Sequence, residues 1–437
     1  MIIVDRALER RAAEGRPVRV GMVGAGAMGR AIALQIATAT PGMELVALYN
    51  RTRARALDAM ALAGVEDPPT ASTVGELERL IAARRPTLVE DPSLICAAEG
   101  IDVVLEVTGA VEFGAGVVLD AIAHGKDVVA MNAELNATLG PILKVHADRA
   151  GVVYTDADGD QPGVIMNLHR FVTGLGVTPV LLGNLKGLHD RFRNPETQAG
   201  FAARKGLTPH MAASFADGTK VSFEMGLCAN ATGFTVIERG MQGPDAAHVH
   251  DAQQLFDLDA LLEHGRVDYL VGAEPGPGVF VLGTVEHPLQ RKWLELYKLG
   301  DGPLYTFYTP YHLCHLEVPT SLARVALFKD PIVTPLGPPV VDVVATAKRD
   351  LRAGETLDGI GWFMTYGQCE NVAAPGAASL LPMGLAEGCR LVRDVPVDQV
   401  LTYDDVELPP GRLCDRLRAE QSAHFGLAAA APVTAAV

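Results

Sequence analysis

Gly24-Ala-Gly26-Ala-Met-Gly29 follows the β-branched run Val18-Arg-Val-Gly-Met-Val23 and opens a helix expected over 30–38. Strand, glycine turn and helix in that order make a phosphate cradle, because backbone N–H groups at the helix N-terminus face the diphosphate of a dinucleotide. Gly24 makes the tight turn, Gly26 lets the backbone approach the diphosphate, Gly29 lets the helix pack close, and Ala27 and Met28 complete the cradle. An NAD-specific site would carry Asp or Glu about twenty residues further on. Here Asn50-Arg51-Thr52 stands in that place. A carboxylate would repel a 2′-phosphate, whereas Arg51 can pair with it and Asn50 and Thr52 can hydrogen-bond it, so NADP is the expected cofactor. An idle, solvated Arg51 is the alternative.

Two further strand ends converge on the same crevice. Glu106-Val-Thr108-Gly109 and Met131-Asn132-Ala-Glu134 each close an apolar run. Ligands of open parallel sheets sit at the carboxyl ends of the strands, so Thr108, Gly109, Asn132 and Glu134 are expected on the nicotinamide side. For Glu134 a helix N-terminal charge is the competing explanation.

The middle of the chain holds the other polar clusters. Gly183-Asn184-Leu-Lys186-Gly-Leu-His189-Asp-Arg191-Phe-Arg193-Asn194 gathers cations in a protein whose formal net charge is −15. Arg191 and Arg193 would share one face of an extended segment and grip a phosphate, with Asn184 and His189 as further substrate-binding candidates. The bland alternative pairs Asp190 with a neighbouring arginine in a solubilising loop. Asp217-Gly-Thr-Lys220-Val-Ser-Phe-Glu224 reads as a helix starting near Gly218, which puts Lys220 and Glu224 one turn apart on one face. A surface ion pair would have the same spacing. Asp156, Asp158 and Asp160 have the opening rhythm of a calcium loop without its closing Glu. They could orient substrate hydroxyls or hold a divalent ion, and no metal ligand set is assigned.

These groups need elements to position them. After the first βαβ unit, strands are expected at 44–49, 103–107, 127–130 and 152–154, with an apolar helix at 114–124 between two of them. Alternating strands and helices imply a parallel, doubly wound sheet. Residues 1–16 read as a charged surface arm. The three prolines of Ile332-Val-Thr-Pro-Leu-Gly-Pro-Pro339 read as a linker. Beyond it, Arg349-Asp-Leu-Arg-Ala-Gly-Glu-Thr-Leu357 is echoed by Arg393-Asp-Val-Pro-Val-Asp-Gln-Val-Leu401, which suggests a small β-rich domain whose halves use similar turns. The expected fold class is α/β: a nucleotide-binding domain over 1–160, an α+β catalytic and dimerisation domain over 161–333, a β-rich domain over 340–412 and a tail over 413–437.

Composition bounds the partners. With 437 residues, 49% of them hydrophobic, the chain can bury more than one core, and its acidity argues against nucleic acid or an anionic membrane as a partner. No stretch has the apolar length of a membrane span or secretory leader, and the six scattered cysteines suit reduced thiols, so a cytoplasmic protein is expected.

The glycine opening, Glu106-Val-Thr-Gly109 and Met131-Asn-Ala-Glu134 resemble the homoserine dehydrogenase group. The phrases Arg349-Asp-Leu-Arg-Ala-Gly-Glu355 and Leu381-Pro-Met-Gly-Leu-Ala-Glu-Gly388 resemble a SAF domain. The combination is similar to the deoxyxylulose phosphate reductoisomerase-like oxidoreductases, an NADPH-using family. The resemblance implies a Rossmann domain, a homodimer or higher oligomer, and reduction of a small, phosphorylated substrate. It puts Lys220 first for polarising a carbonyl, with Lys186 as a second oxyanion partner, and Asp158, Glu224 and Asp217 as groups that handle protons or a divalent metal. Two alternatives stay open: a homoserine dehydrogenase-like reductase of another aldehyde or polyol, and a nicotinamide-sensing binding protein.

Overall fold

The computed structural model describes residues 3–427. They form two units, one of residues 1–160 with 313–334, the other of residues 161–312 with 335 onward.

The first unit is built on a parallel sheet of seven strands: β1 (Val18–Val23), β2 (Met43–Tyr49), β3 (Thr70–Ala71), β4 (Thr87–Val89), β5 (Val103–Glu106), β6 (Asp127–Ala130) and β7 (Tyr154–Asp156). Their order, β3-β4-β2-β1-β5-β6-β7, turns back at β1, where a doubly wound fold opens its ligand crevice. Val103-Val-Leu-Glu106 and Asp127-Val-Val-Ala130 are buried along their whole length, as expected when helices cover both faces. β7 starts two residues later than 152–154 because Val153 N–H is spent on the Asp127 carboxylate and Asp156 pairs with Val333.

Three expectations about boundaries change. Residues 1–16 are not a free arm: in the helix Val4–Ala13, Val4, Ala7 and Leu8 are buried, and a Cβ at Gly42 would lie 2.0 Å from the Leu8 carbonyl oxygen. The segment 313–334, assigned by sequence to the middle domain, returns to the first unit as the helix Cys314–Phe328 and a tail whose Ile332 and Val333 N–H groups donate to Thr155 Oγ1. The stretch 413–437 is not wholly a tail, since Leu413–Phe425 is a helix with Cys414, Leu417 and Gln421 buried; residues beyond 427 lie outside those described.

The second unit has a mixed sheet ordered β11-β10-β8-β9, from β8 (Thr178–Lys186), β9 (Arg266–Val271), β10 (Val279–Thr284) and β11 (Leu304–Thr309). β8 and β9 are parallel; the other pairs are antiparallel. Beside it lie β12 (Val341–Ala347) paired with β13 (Thr365–Asn371), and β14 (Arg390–Leu391) paired with β15 (Val406–Glu407). The two echoed phrases pair with each other about a local two-fold. Leu351 and Val395 exchange both backbone bonds, Asp350 accepts from Val397 N–H at 3.0 Å, and Asp394 accepts from Ala353 N–H at 2.9 Å.

This carboxyl-terminal region is not the separable domain that the prolines suggest. It is sewn along the helix Thr219–Thr232: Asn230 bonds Val340 and Val341, Thr219 Oγ1 accepts from Gly367 N–H, and Ser222 Oγ donates to Gly367 O. Deleting everything after 339 would strip that buried helix of its partners.

Candidate functional site

In the first unit the glycines divide the work as their types demand. Gly24 has φ +119°, and a Cβ there would lie 2.8 Å from Val107 O. A Cβ on Gly29 would lie 2.4 Å from Gly24 O, so this glycine sets how closely the helix Ala27–Ala39 approaches the turn. A Cβ on Gly26 would meet nothing within 4 Å. The space over Gly26, at a helix N-terminus, is what a dinucleotide diphosphate requires, so the residues present fit a nicotinamide cofactor. Ala27 and Met28 are half-buried in the first turn beside it.

Asn50 does a different job from the one its position suggests. Its Oδ1 accepts from Ala25 N–H and its Nδ2 donates to Thr52 O, both at 2.9 Å, so it ties the turn after β2 to the glycine loop instead of reaching outward. Arg51 and Thr52 are exposed at that turn.

On the other side of the crevice a hub appears that the sequence reading passed over. Glu106, fully buried, accepts from Thr108 N–H at 2.9 Å and from the Thr108 hydroxyl through Oε1, and from Asn132 Nδ2 at 2.9 Å through Oε2. Burial pushes its carboxyl above the usual range, and the donors from Thr108 and Asn132 oppose that. Asn132 also caps the helix Ala133–Ala150 by accepting from Leu135 N–H, so it is a buried organiser, while Thr108 and Gly109 (φ +68°) remain toward solvent. Glu134 lies half-buried in the first turn of that helix. The one signal available was a Glu closing a strand of valines and leucine.

Asp158 belongs to the first unit by chain position, and the other catalytic candidates belong to the second. Its N–H donates to Ser321 Oγ at 2.6 Å, its Oδ1 accepts from Gly159 N–H, and its Oδ2 lies 3.8 Å from Arg324 Nη1.

The second unit brings together the remaining candidates, at the end of β8 and the start of the helix Thr219–Thr232. That helix begins where expected, with Glu224 buried and Lys220 half-buried. Asn184, fully buried on β8, donates from Nδ2 to Glu224 Oε2 at 2.8 Å, and its Oδ1 has no hydrogen-bond partner among the described residues. Lys186 ends the strand. His189 packs its ring 5.6 Å from that of Tyr269, and burial lowers its pKa while Asp217 opposes the shift. Gly218 is required twice over: φ is +91°, and a Cβ would lie 2.5 Å from His189 Cε1.

Arg191 and Arg193 do not share an extended face. Asp190 accepts from Phe192 N–H and folds 190–193 into a turn, and it pairs with Arg193 Nε at 2.9 Å, which is the bland alternative for that arginine. Arg191 makes a two-pronged pair with Asp398, Nε to Oδ1 at 2.8 Å and Nη2 to Oδ2 at 2.9 Å. Asp217 is fully buried: Lys348 Nζ donates to its Oδ2 at 2.8 Å, and Thr219 N–H donates to its Oδ1 at 2.8 Å. The same ammonium donates to the carbonyls of Arg193 (2.8 Å) and Trp362 (2.9 Å), which satisfies all three of its protons. Lys348 thus ties the arginine loop to the turn that precedes Lys220, a residue that sequence reasoning placed only in a strand.

A glycine cradle that fits a dinucleotide, on a doubly wound sheet, together with two family matches, makes this an NAD(P)-dependent oxidoreductase. Residues 24–155 match the NAD-binding domain of homoserine dehydrogenase, and residues 159–318 match the catalytic domain of oxidoreductase DRL. No family match covers a SAF domain. Among solved structures, a homoserine dehydrogenase from Thiobacillus denitrificans is 17% identical, covering 78% of this chain and 83% of its own, with a TM-score of 0.41. A probable dehydrogenase from Thermotoga maritima is 13% identical, covering 73% and 90%, with a TM-score of 0.42. A DOX-P reductoisomerase solved with fosmidomycin and magnesium is 18% identical, covering 73% and 72%, with a TM-score of 0.40. At these values the likenesses carry no argument about chemistry. The comparison with curated proteins gives no match.

Proposed function

We propose that this chain is an NADPH-dependent reductoisomerase that rearranges 1-deoxy-D-xylulose 5-phosphate and reduces the product to 2-C-methyl-D-erythritol 4-phosphate, for isoprenoid precursor synthesis. The observation that carries the reading is the match of residues 159–318 to the catalytic domain of oxidoreductase DRL, over the same residues that gather Lys186, Arg191 and Lys220. Bound at the Gly26 cradle, the reduced cofactor supplies the hydride. The chain's own residues do the rest. Arg191 holds the phosphate, Lys220 and Lys186 face the oxygen on which negative charge grows, and Glu224, held by Asn184, moves a proton. Asp158 is set aside from this list because its carboxylate is engaged within the first unit.

One observation favours a second reading, reduction of an unphosphorylated aldehyde or polyol: both arginines already face carboxylates. Following cofactor absorbance with deoxyxylulose phosphate and with aspartate semialdehyde separates the two. Turnover of the first alone is expected, and turnover of the second alone overturns the assignment. Within the enzyme, Lys220→Ala should mainly lower kcat, since oxyanion charge builds only as hydride arrives, by on the order of 100-fold for one lost donor. A change below about threefold removes Lys220 from the chemistry.

A further inference from the structure

The local two-fold of the carboxyl-terminal region matches Asp350 with Asp394, Leu351 with Val395, Ala353 with Val397 and Gly354 with Asp398. The last pair keeps the pattern in its backbone: Gly354 N–H donates to Leu391 O at 2.7 Å, and Asp398 N–H donates to the matching Ala347 O at 2.8 Å. Both residues sit in the left-handed region, Gly354 at φ +89° and Asp398 at φ +66°. Glycine adopts this conformation freely, whereas a side chain there is strained, so the half that carries Asp398 forgoes the residue its own symmetry favours. Asp is among the few residue types with a side chain that enter this region at modest cost. Here it aims a carboxylate at Arg191.

The pair has the geometry of an anion site already filled. Asp398 gives Arg191 two oxygens at 2.8 and 2.9 Å, the arrangement in which a guanidinium fork binds a carboxylate or a phosphate. Tyr366, buried, donates its hydroxyl to Asp398 Oδ1 at 3.3 Å. Burial and the neighbouring Asp398 push that phenol up to about 12, so it stays a donor at any physiological pH. Asp398 therefore has a second hydrogen-bond partner besides Arg191.

We propose that Asp398 is a built-in competitor for Arg191 in the substrate site, which raises by one ion pair the affinity that any group must bring to take the guanidinium. The proposal rests on the reading of Arg191 as a ligand of the substrate's anionic group. A monocarboxylate would replace like with like and gain nothing, and a neutral hydroxyl would leave the guanidinium with less than it had. A dianion brings twice the charge to the same fork and is the ligand that wins the exchange.

Calorimetric titration of the full chain with inorganic phosphate and with acetate tests this, using wild type, Asp398→Gly and Arg191→Ala. Asp398→Gly installs the residue found at the matching position, so folding should be kept or improved, which thermal unfolding checks. We expect Asp398→Gly to bind phosphate about 1.5- to fivefold more tightly, the range for losing one exposed ion pair. Acetate binding should tighten by the same factor, and Arg191→Ala should bind neither. Equal or weaker phosphate binding by Asp398→Gly, with binding still dependent on Arg191, overturns the competitor role and leaves the anion site standing. Phosphate binding that survives Arg191→Ala, or is absent from all three proteins, overturns the reading of Arg191 itself.

Discussion

Lys348 and Asp217 form an ion pair that is almost sealed from water, with side chains 3% and 0% exposed. Burial pushes the Asp217 carboxyl up, and Lys348 acts against that. Removing one partner of such a pair leaves an uncompensated buried charge, so Lys348→Met should cost roughly 3–5 kcal/mol at neutral pH. The loss should shrink at acidic pH, because Asp217, its pKa already raised by burial, can then protonate and needs no counter-charge. Adding Asp217→Asn should recover most of it. Urea unfolding at the two pH values measures all three, and a loss under about 1 kcal/mol would mean that the pair does not hold the turn.

The glycine loop separates folding from binding. Gly29→Ala should destabilise by about 1–3 kcal/mol, since its methyl would meet the Gly24 carbonyl. Gly26→Ala, with open space around the new methyl, should leave thermal unfolding unchanged and weaken cofactor binding by on the order of tenfold or more through the lost close approach. If both variants lose stability alike, Gly26 is not a ligand position.

Cofactor choice should depend on Arg51 and not on Asn50. Arg51→Ala should weaken NADPH by about 10- to 100-fold, the range for a charged hydrogen bond, and leave NADH nearly untouched. Asn50→Ala should weaken both together, because it frees Ala25 N–H from the loop it positions. Fluorescence titration with the two cofactors reads the split; equal losses in Arg51→Ala would place the 2′-phosphate elsewhere.

Asp268 gives the second unit a pH signature. Three backbone N–H groups, from Gln242, Gly243 and Tyr269, point at it, yet burial prevails and pushes the carboxyl up to about 6. An unfolded Asp titrates near 4. The folded chain therefore holds a proton that the unfolded chain has released, and the stability this adds is full below about pH 4 and lost as pH rises to about 6. The amount is roughly 2–3 kcal/mol. Comparing wild type with Asp268→Asn between pH 4 and 7 should show that slope only in wild type.

What could be read from the chain beforehand follows from distance along it. β1 and β6 were legible to the residue because β-branched runs and glycine turns are local signals. Gly24, Gly26 and Gly29 were legible for the same reason. The Asn50 amide looked outward because the Ala25 N–H that claims it lies in a different turn. The turn at 190–193 was misjudged as extended because a single carboxylate, Asp190, decides it by capping Phe192. Lys348 and Asp398 could not be found at all, since their partners Asp217 and Arg191 lie 131 and 207 residues away. No periodicity encodes such pairs.

The reciprocal bonding of the two echoed phrases also constrains how the chain is made. Each half leaves backbone bonds for the other to close: Leu351 waits for Val395, and Ala347 waits for Gln399. During synthesis the earlier half must stay open until the later one has left the ribosome, and the long loop closure makes their meeting slow. Arg191, made far earlier, spends that interval without Asp398. Completion of the arginine loop and its turn is thus among the last events of folding, so a nascent chain could carry a finished nucleotide-binding sheet well before it carries a finished site.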